Sequence, residues 1–139
     1  RQYCSPGFNL PVGCFSRSPH GEFPEYHTSA DDLTFVRPEY LGESFARCFS
    51  ILRLLDNNRK YLNLNPMGEP QLGKRGLYRK IGGPKDGGVQ EIALLWALNL
   101  SDGEHSLLDI SERSGMSFDE LKKAADALVQ HELLRELPE

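Results

Sequence analysis

A chain of 139 residues, 39% hydrophobic and 26% charged, admits one ordinary domain or two very small ones. That composition excludes a largely disordered chain. The formal net charge of −4 is unevenly spread: residues 1–86 hold 12 Lys and Arg against 9 Asp and Glu, a net +3, and residues 87–139 hold 4 against 11, a net −7.

The chain opens on Arg1 rather than Met, without a charged-then-apolar leader, and is expected to be the tail of a larger protein. Residues 1–25 are rich in Gly, Pro, Ser and Phe, too heavily punctuated for a long helix; Leu10–Ser16 is the one candidate strand. Cys4, Cys14 and Cys48 are odd in number and lack CxxC spacing. They are expected to be reduced thiols, in a cytoplasmic protein. A helix should begin at Arg37-Pro38, because proline suits the first helical turn. Leu41, Phe45, Phe49, Leu52 and Leu55 follow at spacings of three and four, which predicts an amphipathic helix to about Asn57. Residues 59–88 lose periodicity, and the glycines at 82–88 predict a linker or hinge.

Periodicity returns at 89–139. Residues 89–100 predict a helix with Ile92, Leu95, Trp96 and Leu100 on one face, stopped by Ser101-Asp102-Gly103. The apolar stretch at 92–100 is far short of a membrane span, so a soluble protein with no membrane partner is expected. Residues 106–114 predict a short helix, and Gly115-Met116 a tight turn. Ser117-Phe118-Asp119-Glu120 has the form of a capping box. The helix it opens should run to about His131 with Leu121, Ala124, Ala125 and Leu128 inward, and residues 133–137 could form a wing strand. This order is that of a winged helix-turn-helix.

One stretch carries chemistry: Glu25-Tyr26-His27-Thr28-Ser29-Ala30-Asp31-Asp32. A histidine near a carboxylate is weak grounds for a metal site by itself. The pattern Tyr-His-Thr-Ser-x-Asp, however, resembles the last zinc-ligand motif of the co-catalytic zinc aminopeptidase and glutamate-carboxypeptidase superfamily. Together with residues 1–13 and Gly68-Glu69-Pro70-Gln71-Leu72-Gly73-Lys74-Arg75-Gly76-Leu77-Tyr78, it is similar to a bacterial family of aminopeptidase-like proteins that end in a winged helix.

The resemblance implies an α/β chain: the C-terminal part of a zinc-aminopeptidase-like α/β/α domain over 1–81, a linker at 82–88, and a small, mostly α winged-helix domain over 89–139. It implies a metallopeptidase-type hydrolase acting on a small peptide-like substrate, in a family associated with surface-polysaccharide biosynthesis. His27 would be a zinc ligand at a strand end, Tyr26 would place its hydroxyl beside the metal to stabilise an oxyanion, and Asp31 would support the loop by hydrogen bonding. The remaining zinc ligands and the general base would lie in the rest of the parent protein. This chain alone is therefore expected to bind no zinc stoichiometrically and to be inactive.

Other readings stay open. His20, Glu22, Glu25 and His27 could form a makeshift metal cluster, Cys4 or Cys14 could act as a thiol with His27, and Lys74-Arg75 could bind an anion. The winged helix suggests DNA by its shape, but Lys122 and Lys123 are offset by Asp119, Glu120 and Asp126. Because phosphate contact dominates DNA affinity, the expectation is protein or domain contact rather than DNA, with homo-oligomerisation left open.

Overall fold

The computed structural model describes residues 2–78 and 91–138. It divides into two units, Arg1–Ile51 and Leu52–Glu139. The linker expected at 82–88 lies outside the described residues.

In the first unit, residues up to 37 form a succession of turns. The candidate strand at Leu10–Ser16 does not form. Leu10 donates its N–H to the Tyr3 carbonyl and Val12 to that of Leu10, so this backbone is engaged locally and pairs with no strand among the described residues. Helix α1, Pro38–Asn57, has the expected limits, with Pro38 at its first position. Ser44 and Ser50 hydroxyls return to the carbonyls four residues back, at 2.9 and 2.8 Å. The apolar stripe also forms as expected, yet Phe45 remains 72% exposed and Leu52 65%. An amphipathic helix gains its stability from burying that stripe, and no residue of α1 is buried. Arg17 fastens the preceding loop to the helix by an ion pair with Glu43 at 2.8 Å and by lying over the Tyr40 ring.

The second unit contains β1 Lys60–Asn63, a 3-10 turn Gly73–Arg75, α2 Glu91–Leu100, β2 Asp102–Ser106, α3 Leu107–Ser114, α4 Phe118–Gln130 and β3 Leu134–Glu136. The sheet is antiparallel in the order β2-β1-β3. Lys60 pairs with Ser106, and Tyr61 with Glu136. The helices close over the sheet around Tyr61, Leu72, Leu94, Leu107, Ile110, Leu121, Leu128 and Leu133, each at most 2% exposed.

Two features depart from the sequence expectation. β1 falls within the span assigned to the preceding domain, but it is the central strand of the wing sheet and holds β2 and β3 together. In α2, the buried side is Ala93, Leu94, Ala97, Leu98 and Leu100, while Ile92 is 50% exposed and Leu95 36%. The helix is apolar on nearly every side, so periodicity could not select its inner face; Ala93 and Ala97 are small enough to let it approach α4 closely.

The caps are local in sequence and form as the residues dictate. Ser117 and Glu120 make the expected reciprocal capping box on α4, and Ser106 with Asp109 makes a second one on α3. Each hydroxyl satisfies a backbone N–H that the first helical turn would leave unpaired. Gly115 ends α3 at φ 71, a conformation costly for residues with a Cβ. Gly103 sits at φ 90, a backbone conformation that side chains with a Cβ rarely adopt, and a Cβ there would lie 3.3 Å from Leu137 Cδ1, which would have to shift slightly.

Candidate functional sites

The segment that carries the zinc-type motif is a run of tight turns rather than a strand end. Tyr26 N–H donates to the Phe23 carbonyl at 3.2 Å and Thr28 N–H to that of Glu25 at 3.1 Å. The Thr28 hydroxyl donates to the same Glu25 carbonyl at 2.9 Å and accepts from Ala30 N–H at 3.2 Å. Between these bonds His27 is held at φ 58. Left-handed backbone is uncommon for a residue with a Cβ, although histidine is among the more tolerant types. The His27 ring stacks on that of Tyr26 with centroids 4.0 Å apart and planes 15° apart. Tyr26 is itself held edge-on by Phe23, 5.5 Å away.

The structure therefore brings Tyr26 and His27 together. Asp31 contributes its backbone N–H, donated to the Thr28 carbonyl at 3.2 Å. The carboxylate that visibly holds the loop is Asp32, left without a role in the sequence reading. Its Oδ1 accepts from both the N–H and the hydroxyl of Thr34, each at 2.7 Å. These bonds, the side-chain one foremost, lower the Asp32 pKa. The signal was present as Asp-x-Thr, a pattern in which the side chain bonds the backbone two residues on.

Among the described residues, no group of three or more His, Cys, Asp or Glu stands close enough to hold a metal ion. The cluster suggested for His20, Glu22, Glu25 and His27 is not assembled; His20 instead lies beside the Tyr26 ring at 5.7 Å. A zinc ion needs three or four converging donors, so the described residues of this chain do not by themselves fit one. Cys4, Cys14 and Cys48 are free and exposed. The Cys4 thiol donates to the Val12 carbonyl at 3.6 Å rather than meeting His27. Arg75, in the basic loop, donates to the His131 carbonyl at 3.3 Å, which gives that side chain a structural contact.

The second candidate is α4, the helix that a winged helix-turn-helix offers to DNA. The Lys122 ammonium pairs with Asp126 one turn along, and Asp119 in the first turn accepts from Arg53. At the end where base contacts would be made, the helix thus holds Asp119, paired with Arg53, and Glu120, engaged in the cap.

Comparison with known proteins follows the same division. Residues 59–136 match a family described as winged helix-turn-helix, and residues 1–58 match a domain of unknown function (DUF4910). A Clostridium acetobutylicum protein, named provisionally for polysaccharide biosynthesis with an aminopeptidase-like domain, is 53% identical over 135 residues; these are 97% of this chain and 31% of that protein. A crystal structure from the same organism, named provisionally as a peptidase, superimposes with a TM-score of 0.84 at 47% identity, covering 98% of this chain and 29% of that one. The chain thus spans less than a third of the length of these relatives. Among the described residues no helix is long and apolar enough to cross a membrane.

Proposed function

The chain belongs, over residues 59–136, to the winged helix-turn-helix family, and from that premise we propose that it forms part of a zinc-dependent, aminopeptidase-like hydrolase. Its first 58 residues complete a catalytic-type domain and the winged helix follows. His27 serves as a zinc ligand through its neutral imidazole, Tyr26 offers its hydroxyl to an oxyanion, and Asp31 supports the loop alongside Asp32. The substrate is small and peptide-like. The names of the two relatives support the aminopeptidase-like part of this reading, and free, exposed cysteines support a cytoplasmic setting.

The observation that carries it is His27 itself: a left-handed, hydrogen-bond-locked backbone with the imidazole stacked on Tyr26. Such strain costs about 1–3 kcal/mol and concentrates at functional sites. One imidazole does not make a zinc site, so the other donors belong to the part of the parent that this chain does not span. The test uses the full-length protein. Bound zinc and hydrolysis of aminoacyl substrates are expected, both lost in His27→Ala. A full-length protein without zinc, in which His27→Ala changes neither metal content nor hydrolysis, sinks the reading. The 139-residue chain alone is expected to hold no stoichiometric zinc and to show no peptidase activity.

A second reading concerns the winged helix. Counted over the matched span 59–136, it carries 11 Lys and Arg against 12 Asp and Glu, a net −1 rather than the −7 of residues 87–139. Bulk charge therefore neither draws nor strongly repels DNA, and the charges on α4 decide. Lys122 is paired with Asp126, and the first turn offers Asp119, itself paired with Arg53, and Glu120 in place of cations, so that helix suits a protein or domain surface better than phosphate. A salt-sensitive mobility shift with duplex DNA at moderate ionic strength would overturn this.

A further inference from the structure

Within the second unit, a cavity of about 610 Å³ opens between the segment after β1 and the outer flank of α2. Its size is that of a small-molecule site. Two observations give it a chemical character. Ile92, Leu95 and Trp96 supply an apolar wall, and this is the side of α2 that the core leaves uncovered, Ile92 being 50% exposed. Glu69, which also accepts from the Tyr78 hydroxyl, and Asp102, which also pairs with His105, contribute two carboxylates, and no Lys or Arg lines the cavity among the described residues.

We propose that this cavity binds a small organic cation: an ammonium or guanidinium group on an apolar body. The cationic head is drawn to Glu69 and Asp102, the body lies against Ile92 and Leu95, and the Trp96 face adds cation–π attraction. Charge decides among the alternatives. An anion is repelled by both carboxylates, and a neutral apolar ligand would desolvate them without compensation. The proposal is independent of the reading of His27.

Trp96 is the sole tryptophan of the chain, so its fluorescence reports directly on the cavity. The 139-residue chain is titrated with phenethylamine and, in parallel, with 3-phenylpropionate, which offers a similar body with the opposite charge. A saturable change in Trp96 emission is expected with the amine and not with the acid. Glu69→Gln, which keeps an acceptor for the Tyr78 hydroxyl, is expected to weaken amine binding about tenfold. The proposal is overturned by an amine titration with no saturable response, by equal responses to amine and acid, or by a Glu69→Gln chain that binds the amine unchanged. Emission that shifts with protein concentration in the absence of any probe would assign the cavity to a second copy of the chain, and would overturn the proposal equally.

Discussion

Arg53, near the end of α1, grips Asp119 at the start of α4 through both carboxylate oxygens, each 2.8 Å from the same guanidinium nitrogen. It stands 66 residues away in sequence from the helix whose first turn it neutralises. Both side chains are more than half exposed, at 57% and 58%. Exposed pairs gain little over hydration and are screened by salt. Arg53→Ala is therefore expected to lower stability by less than about 1 kcal/mol at low ionic strength, and by nothing measurable at high salt. Denaturant titrations at two salt concentrations check this. A loss that persists in high salt would mean that the Arg53 stem, rather than its charge, matters by packing.

The wing sheet gives a sharper prediction, because it marks where the chain was legible and where it was not. Helices α3 and α4 could be located closely from the sequence because their signals are local: Ser117 meets Glu120 three residues on, and Gly115 stands one residue past a helix end. β1 gave no such signal. Lys60-Tyr61-Leu62-Asn63 is four residues long, and its pairing partners begin at Asp102 and Leu134, so its strand character comes from distant chain. A truncated chain of residues 59–139 is expected to unfold cooperatively. One of residues 89–139 is expected to lack a cooperative transition, since β2 and β3 pair only through β1 and Tyr61, 1% exposed, leaves the core with it. Thermal circular dichroism separates the two; equal cooperativity would show that the sheet is dispensable.

Asp102 links the wing to pH. Its carboxylate accepts the N–H groups of Glu104 and His105 at 2.8 and 3.1 Å and meets His105 Nδ1 at 2.8 Å. These bonds, the His105 backbone bond first, lower its pKa from 3.8 to about 2. A pKa depressed by folding contributes stability that is complete above the unfolded value and fades as pH falls through the folded one. The contribution is thus expected at neutral pH and lost between 3.8 and about 2. Asp109 and Glu120, lowered by their bonds to Ser106 and Ser117, add losses of the same sign. Asp102→Asn keeps an acceptor oxygen but cannot titrate. Its chain should be less stable at neutral pH and show a shallower acid decline. Urea midpoints measured down the pH range test both, and an unchanged acid limb would remove Asp102 from the account.

The site segment was legible only through resemblance. Tyr26 and His27 are ordinary neighbours by spacing, and nothing local announces that one ring will stack on the other or that His27 will take φ 58. That backbone complicates any test by alanine, because Ala in the left-handed region adds strain while it removes the imidazole. Asparagine separates the two effects: it tolerates left-handed backbone about as well as any residue with a Cβ, but it lacks the ring nitrogen that zinc takes most readily. In the full-length protein, His27→Asn is expected to keep the native circular dichroism spectrum while losing zinc and aminoacyl hydrolysis together. His27→Gly, which relieves the backbone entirely, should lose them to the same extent. If His27→Asn retains full zinc content and activity, the imidazole is not a ligand. The strained turn would then be holding Tyr26 in place and no more, and the metal reading of this segment would fail.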